Sequence, residues 1–321
     1  MIGWILGGIA SFLLIVLIAM TVYSYFVAFY HSPKKKNEPY VMPASEQYDP
    51  VEKRMRELIE ELEPIPYEKV QIRSHDGLIL SARYYHFKDG APVQIQCHGY
   101  KGVPVRDFCG GHKLAREKGH NVLLIDQRAH GDSEGNTITF GILERKDVLS
   151  WIEYVNGRVG KNVPVILTGI SMGAATVLMA ASLPLPENVV GIVADCPYSS
   201  PSAILKKVSS DMKLPPALTY PFLQLGARLF GGFHLEETSA VEGAKNSKVP
   251  ILLIHGEDDR FVPCDMSREI AAASKNCRLQ TFEGAGHGIS FMIDEARYAQ
   301  LTSQFIDEQL TRFYQREGNN T

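Results

Sequence analysis

The chain has 321 residues, and its 33 lysines and arginines against 36 aspartates and glutamates give a formal net charge of -3. This near-balance argues against binding to nucleic acid, which usually requires a clustered excess of basic residues. Hydrophobic residues make up 45% of the chain and charged residues 21%, a composition that is typical of a folded globular protein and excludes a disordered, collagen-like or disulfide-rich small chain.

The first thirty residues contain no Asp, Glu, Lys, Arg or His. As a helix that rises about 1.5 Å per residue, residues 3–30 would extend roughly 40 Å, enough to cross a hydrocarbon core of about 30 Å. Aromatic residues lie near both ends of this stretch, as they do at membrane interfaces: Trp4, Tyr23, Tyr25 and Tyr30. A cleaved signal peptide would have a basic start and a shorter apolar run. We therefore predict an uncleaved transmembrane anchor over residues 1–31.

Three lysines at positions 34–36 follow the apolar stretch, whereas only the α-amino group precedes it. The positive-inside rule then places the rest of the chain on the cytoplasmic side. The five cysteines are Cys97, Cys109, Cys196, Cys264 and Cys277. Their odd number and uneven spacing favour buried thiols over disulfides, which agrees with that side. Residues 32–66 are predicted to form a polar linker and a charged juxtamembrane helix.

From residue 67 onward, short apolar runs alternate with helical patterns. The predicted strands are residues 67–73, 78–85, 93–97, 121–125, 163–167, 189–194, 249–254 and 277–282. The predicted helices between and after them are residues 107–118, 143–155, 172–182, 265–273 and 295–316. Continuous apolar runs are typical of strands buried on both faces, and an Asp-Gly turn after the first strand indicates a hairpin. We predict one α/β domain over residues 67–318, with a doubly wound, mostly parallel eight-stranded sheet.

The fifth predicted strand runs into the sequence GISMG, with Ser171 at its centre, and then into a helix rich in small residues. This G-x-S-x-G pattern between a strand and a helix is typical of a nucleophile elbow, in which the serine occupies a strained turn. The start of the helix would also direct free N–H groups towards a developing oxyanion. Ser171 is therefore the candidate nucleophile, and the alternative is an incidental serine in a glycine-rich turn.

A serine nucleophile needs a histidine base and a carboxylate that orients the base. In this architecture the acid follows the serine in the chain, and the histidine comes last. Three histidines follow the serine, and His287 lies in the loop directly after the last predicted strand. The loop after the seventh strand contains Asp259, the predicted acid, with Asp258 as the nearest alternative and Asp195 as a more distant one. His255 precedes this acid, and we expect it to hold the loop together.

An oxyanion hole needs two backbone N–H donors. One would be the N–H of Met172, the residue after the nucleophile. The other should follow the third predicted strand, where the sequence HGYKG contains Tyr100, whose N–H we predict as the second donor. The sequence contains no HExxH or CxxC motif, so we expect neither a metal ion nor a cofactor.

Together these motifs resemble the α/β-hydrolase superfamily, in its serine aminopeptidase, monoacylglycerol-lipase-like and Bem46-like group. The resemblance covers about residues 67–315 and rests on HGYKG, DQRAHGDSEG, GISMG, ADCPYSS, HGEDDRFVP and GAGHG, in that order. It implies Ser171, Asp259 and His287 as a catalytic triad and the amides of Tyr100 and Met172 as the oxyanion hole. It also implies a membrane-anchored serine hydrolase that cleaves small-molecule or lipid-like acyl esters. A peptidase, a thioesterase, an acyltransferase and a non-catalytic binding protein of the same fold stay open as alternatives.

Two further expectations follow from the resemblance. Arg128, His130 and Asp132 in DQRAHGDSEG are expected to brace their loop rather than to catalyse, and Ala129 stands where the family usually has glycine. Residues 199–248 lie where this superfamily often inserts a cap, so they are predicted to form a small helical cap, which could line an apolar acyl pocket as a lid. The alternative is that their apolar side chains merely cover the sheet.

Overall fold

The computed structural model describes residues 2–32, residue 42 and residues 45–319. The lysines at 34–36, on which the predicted orientation in the membrane depends, lie outside these described residues. Within them, one eight-stranded sheet has the order β1-β2-β4-β3-β5-β6-β7-β8. Its strands are β1 (Glu68–Arg73), β2 (Ile79–Tyr85), β3 (Val93–Cys97), β4 (Asn121–Ile125), β5 (Val165–Ile170), β6 (Val189–Asp195), β7 (Ile251–Gly256) and β8 (Cys277–Phe282).

The direction of the strands confirms the predicted α/β-hydrolase fold. Strand β2 runs antiparallel to both of its neighbours, β1 and β4, and the other pairings are parallel. At the carboxyl edge, Cys97 of β3 pairs with Gly169 of β5, and Ile170 of β5 pairs with Asp195 of β6. Because β6 offers a partner this far, β5 continues three residues beyond its predicted end. The loops after β3, β5, β6 and β7 therefore meet at one edge, where ligands bind in doubly wound sheets.

Helices cover both faces of the sheet. They are α1 (Ile2–Ala28), α2 (Glu52–Leu62), α3 (Pro104–Asp107), α4 (Cys109–Glu117), α5 (Glu144–Val159), α6 (Met172–Ala180), α7 (Pro201–Asp211), α8 (Pro216–Gly226), α9 (Ala240–Asn246), α10 (Asp265–Ala272), α11 (Ser290–Ile293) and α12 (Glu295–Gly318), with a π-helical turn at Ala227–Gly231 after α8. One apolar cluster contains Trp151 of α5 and Leu178 of α6, and the other contains Leu58 of α2 and Phe305 of α12. Burying each such side chain contributes about 1.5–3 kcal/mol.

Helix α1 combines an exposed apolar stretch with a buried end. Residues Trp4–Ala28 have a mean hydropathy of 2.6, so this helix is long and apolar enough to cross a membrane. Its first part is exposed, but the side chains of Thr21 and Tyr25 are buried, and Phe29, directly after the helix, is fully buried. The Phe29 ring lies 5.8 Å from that of Phe140 and 5.4 Å from that of Phe233. The end of α1 is therefore part of the core of the globular domain.

Candidate active site

Ser171 occupies the sharp turn between β5 and α6. Its φ of 55° and ψ of -115° are strained for a residue with a side chain. The two glycines of the motif permit this turn, because a Cβ on Gly169 would lie 2.3 Å from the carbonyl oxygen of Gly173, and a Cβ on Gly173 would lie 1.8 Å from that of Cys97. The turn is also held from outside, since the Ser171 N–H donates to the Asp195 carbonyl oxygen at 2.8 Å. The local sequence thus dictates the strained strand–turn–helix geometry that the predicted nucleophile elbow requires.

We expect Gly173→Ala to destabilise the protein by about 3 kcal/mol or more, because its Cβ would overlap main-chain atoms that cannot rotate away. Gly157→Ala is the matched control, since Gly157 lies on the exposed face of α5 with no atom within 4 Å of the added Cβ. That control should raise stability by up to about 1 kcal/mol. Thermal unfolding in detergent compares the two variants, and equal melting temperatures would contradict the expectation.

His287 bridges Ser171 and Asp259. Its Nε2 lies 2.9 Å from the Ser171 Oγ, and its Nδ1 lies 2.7 Å from Oδ2 of Asp259. All three residues are buried. Since a carboxylate can only accept, Nδ1 carries the proton and Nε2 is left to accept from the serine hydroxyl. The structure therefore brings the three predicted residues together in hydrogen-bonding order.

The Asp259 carboxylate is held on both sides. Its Oδ1 accepts from the N–H groups of Phe261 at 2.9 Å and Val262 at 2.8 Å, while its Oδ2 faces His287 and lies 3.3 Å from Nε2 of His255. Burial alone would raise the pKa of Asp259, but hydrogen bonds from the two histidines hold it well below its usual range. His255 also bonds the Val262 carbonyl oxygen at 2.8 Å, as expected of a residue that holds this loop. The acid is thus kept ionised.

The two alternative acids lie elsewhere. Asp258 is exposed. Asp195 is buried at the end of β6, where its Oδ2 accepts from the Tyr298 hydroxyl at 3.1 Å and its Oδ1 has no partner among the described residues. Burial raises the pKa of Asp195 to about 6. Neither carboxylate is the one that bonds to the imidazole of His287.

The raised pKa of Asp195 predicts a pH-dependent loss of stability. Its value of about 6 in the folded chain exceeds the ordinary 3.8, so the folded state binds more protons across that interval and stability falls as the pH rises through it, by about 3 kcal/mol in total. Asp195→Asn removes this ionisation and keeps an acceptor for Tyr298. We expect the variant to be more stable than the wild type by about 2 kcal/mol at pH 8 and nearly equal at pH 4. Denaturant unfolding at both pH values tests this, and the same difference at both would contradict it.

Both residues predicted as oxyanion donors lie near Ser171: Met172 follows it in the chain, and Tyr100 lines the same cavity. Met172 is the first residue of α6, where backbone N–H groups have no acceptor within the helix. Tyr100 lies in the loop after β3, and a Cβ on the neighbouring Gly99 would lie only 3.5 Å from the Ser171 Cβ. The Tyr100 hydroxyl donates to the Ala28 carbonyl oxygen at the end of α1, at 2.8 Å. Both residues thus lie close enough to Ser171 for the predicted role, and their function as oxyanion donors stays a prediction.

The loop after β4 braces the loop that carries Tyr100. The Lys101 N–H donates to Nε2 of His130 at 3.0 Å. Arg128 is buried and donates to Asp147 at 2.6 Å and to Asp76 at 2.8 Å. These contacts agree with the expected bracing role of this loop.

A cavity of about 550 Å³ lies over Ser171 and His287. Among the described residues that line it, only Asp211 comes from the cap segment 199–248. Gln47, Tyr48 and Met55 also line it, although residues 32–66 carry no pattern in the sequence that points to a site. Nothing in the sequence therefore indicates that these three residues form one side of the cavity. A cap that lines an acyl pocket stays a prediction.

In the part of the chain that the structure describes, two groups of side chains are close enough to share a metal ion: Cys196 with Asp259 and His287, and His75 with Asp76 and Asp147. In the first group the histidine and the carboxylate already bond to each other, and burial raises the pKa of the Cys196 thiol well above its usual range. A protonated thiol is a poor ligand. In the second group the Arg128 guanidinium bonds both carboxylates. In both groups, hydrogen bonds within the protein therefore explain why these side chains lie close together.

Comparison with known proteins decides the family. A model of the alpha/beta hydrolase family matches residues 97–301. The chain belongs to the alpha/beta hydrolase family. The uncharacterized protein YqkD of Bacillus subtilis is 25% identical over 215 residues, which cover 66% of this chain and 70% of YqkD. The lysophosphatidylserine lipase ABHD12 of Danio rerio is 26% identical over 219 residues, which cover 64% of this chain and 52% of that protein.

This hydrolase also resembles solved structures. The Pyrococcus furiosus esterase Pf2001 superposes with a TM-score of 0.63 and 21% identity, over 85% of this chain and 99% of the esterase. That likeness concerns the fold. The family match begins at residue 97, so α1, the segment before α2, α2 itself and the first two strands lie outside it. The chain spans about half the length of ABHD12.

Proposed function

We propose that this hydrolase cleaves carboxylic esters through an acyl-serine intermediate and that α1 holds it in a membrane. One observation carries the proposal: the unbroken hydrogen-bonded chain from Ser171 through His287 to Asp259, with distances of 2.9 and 2.7 Å. A serine with an oriented neutral imidazole beside it is an activated nucleophile. A non-catalytic member of the fold would have no need of this arrangement.

In the first half of the proposed reaction, Ser171 Oγ attacks the carbonyl carbon of the ester and His287 Nε2 takes its proton. Asp259 stabilises the imidazolium that forms, and the N–H groups of Tyr100 and Met172 donate to the oxyanion. The imidazolium then gives its proton to the leaving alkoxide as the carbon–oxygen bond of the ester breaks. The products of this step are a free alcohol and an acyl-serine.

In the second half, water attacks the acyl-serine. His287 takes a proton from the water, a second tetrahedral intermediate forms in the same oxyanion hole, and the Ser171 oxygen leaves with the proton returned by the imidazolium. The carboxylic acid is released and the serine is restored. A thioesterase, a peptidase or an acyltransferase would use the same groups, so the leaving group and the acceptor must be found by experiment.

Carboxylic esters with an acyl chain are the substrates we propose. The zebrafish relative is described as a lysophosphatidylserine lipase, and the archaeal structure with a similar fold is an esterase. The cavity of about 550 Å³ is large enough for a small acyl ester. Helix α8 of the cap packs against α1, and the exposed Phe230 ring just after α8 lies 5.5 Å from that of Tyr25. An ester delivered from a membrane suits this arrangement.

Retention of α1 as an anchor is supported by its buried end. Cleavage of a signal peptide would remove Tyr25 or Phe29 from the core and expose the apolar surface that they cover. We therefore propose a single-pass N-terminal anchor, with the cytoplasmic side for the hydrolase domain because of the lysines at 34–36. Extraction of membranes with alkaline carbonate should leave the full chain in the pellet, and release into the supernatant would contradict the anchor.

A fluorophosphonate probe tests the chemistry. It should label the full chain in detergent at one site, which peptide mass spectrometry should assign to Ser171, and p-nitrophenyl butyrate should protect that site. A panel of p-nitrophenyl esters from acetate to laurate, followed by monoacylglycerols and lysophospholipids in vesicles, then ranks the substrates. Labelling elsewhere, or none together with no ester turnover, would overturn the proposed function.

A further inference from the structure

The main chain of His287 is held by two side chains from the segment that precedes α2. The His287 N–H donates to Oε1 of Gln47 at 2.8 Å, and the Tyr48 hydroxyl donates to the His287 carbonyl oxygen at 3.0 Å. Both peptide groups of this histidine are thus bonded by residues that are 239 and 240 positions away in the chain. Among the residues that the structure describes, the imidazole forms hydrogen bonds only with Ser171 and Asp259. The ring and the backbone of His287 are therefore fixed by separate sets of residues.

The loop around His287 has a shape that admits the side chain of Gln47. Its sequence is GAGHG, and Gly284 and Gly288 have φ of 73° and 67°, a region that glycine enters easily. Before His287, the buried Ala285 is held by its main chain, since its carbonyl oxygen accepts from the Asp258 N–H at 3.0 Å. A Cβ on Gly286 would lie 2.2 Å from Gln47 Oε1, so the glycine there leaves the space through which Gln47 reaches the main chain. The loop around His287 and the side chain of Gln47 are therefore complementary in shape.

The residues directly after Gln47 and Tyr48 are packed firmly against the globular domain. Val51 and Met55 are buried in the apolar cluster on that face of the sheet. Arg54 of α2 donates to both carboxylate oxygens of Glu295 in α12, at 2.6 and 3.1 Å. Tyr48 and Gln47 are therefore presented from a fixed support rather than from a free linker. Burial raises the pKa of Tyr48, so its hydroxyl stays protonated and able to donate.

We propose that Gln47 and Tyr48 are positioning residues for His287, so that the described residues directly before α2 complete the active site. The inference rests on the proposed function, because it assigns these residues a task in the same reaction. They lie outside residues 97–301, so the family match does not include them. A shift of the base by a fraction of an ångström lengthens its bond to the serine, and such misplacement lowers the rate of the chemical step more than substrate binding.

Conservative variants of the full chain test the proposal with p-nitrophenyl butyrate. Tyr48→Phe keeps the ring and removes only the donor, and Gln47→Met keeps the length and removes the acceptor. Each should lower kcat about tenfold with KM changed less than about twofold, which is the effect of one lost hydrogen bond in the chemical step. Gln47→Glu retains an acceptor for the His287 N–H and should recover most of kcat. The rate of fluorophosphonate labelling should fall in parallel with kcat.

Glu46→Gln and Asp49→Asn are the matched controls, since both residues are exposed neighbours in the same segment. They should keep wild-type kcat. Wild-type kcat in both Tyr48→Phe and Gln47→Met, an equal loss in the controls, or no recovery with Gln47→Glu would each overturn the positioning role. Ser171→Ala in the same preparation separates the two claims: if it is inactive while the segment variants are unchanged, the hydrolase proposal stands and this one fails.

Discussion

Ser171→Ala is expected to lower kcat on p-nitrophenyl butyrate by about 10⁵-fold or more, because it removes the oxygen that forms the acyl intermediate in the proposed mechanism. His287 and Asp259 cannot compensate, since their hydrogen bonds orient a proton transfer that no longer occurs. The remaining rate, above that in water, would come from the oxyanion donors and from binding alone. The variant should also lose all labelling by the fluorophosphonate probe.

The structure offers a matched control for this substitution. Ser210 lies near the end of α7, is exposed and does not line the cavity, so Ser210→Ala makes the same chemical change outside the site and should keep wild-type kcat. The backbone strain at φ 55° is the same for alanine as for serine, because both residues carry a Cβ. The melting temperature should therefore change little. Activity of Ser171→Ala within tenfold of the wild type would rule out this serine as the nucleophile.

The fold could be predicted from the sequence because its signals are local. The eight strands follow from apolar runs and the order of strands and helices, and the structure confirms all of them, with shifts at some ends. The helix predicted over residues 107–118 is instead two helices, α3 and α4, because Phe108 between them leaves the helical conformation with φ of -107° and ψ of 14°. The spacing of apolar residues in a sequence does not reveal a single residue that interrupts a helix.

The candidate site could be predicted only where motifs mark it. Ser171, Asp259 and His287 follow from residue types in a fixed chain order, and the structure places their side chains together. The contacts of Gln47 and Tyr48 with His287 join residues about 240 positions apart through main-chain groups. Main-chain acceptors and donors have no residue type, so no spacing or composition of a polar segment reveals such a contact. The burial of Phe29 was not predicted either, because an apolar residue at the end of a predicted membrane span has no pattern that distinguishes it from its neighbours.

Asp259→Asn keeps His287 in place as the base but changes the group that orients its ring. We expect this substitution to lower kcat by about 10⁴-fold. The amide must place its oxygen where Oδ1 now accepts from the Phe261 and Val262 N–H groups, at 2.9 and 2.8 Å. Its NH₂ group then faces His287 Nδ1, where Oδ2 is now. Nδ1 becomes an acceptor, so the ring proton moves to Nε2 and points at the serine. An imidazole in that tautomer cannot take the hydroxyl proton.

Asp258→Asn provides the control, because it makes the same change at the adjacent, exposed carboxylate and should alter kcat less than about twofold. The Asp259 amide would also face Nε2 of His255, which now lies 3.3 Å from Oδ2, so that contact becomes donor against donor and adds to the loss. Initial rates with p-nitrophenyl butyrate compare the two variants with Asp195→Asn. A loss near 10⁴-fold in Asp195→Asn, with Asp259→Asn nearly active, would move the acid to the end of β6. That result would require His287 to leave the carboxylate it contacts in this structure, because Asp195 bonds to Tyr298 instead.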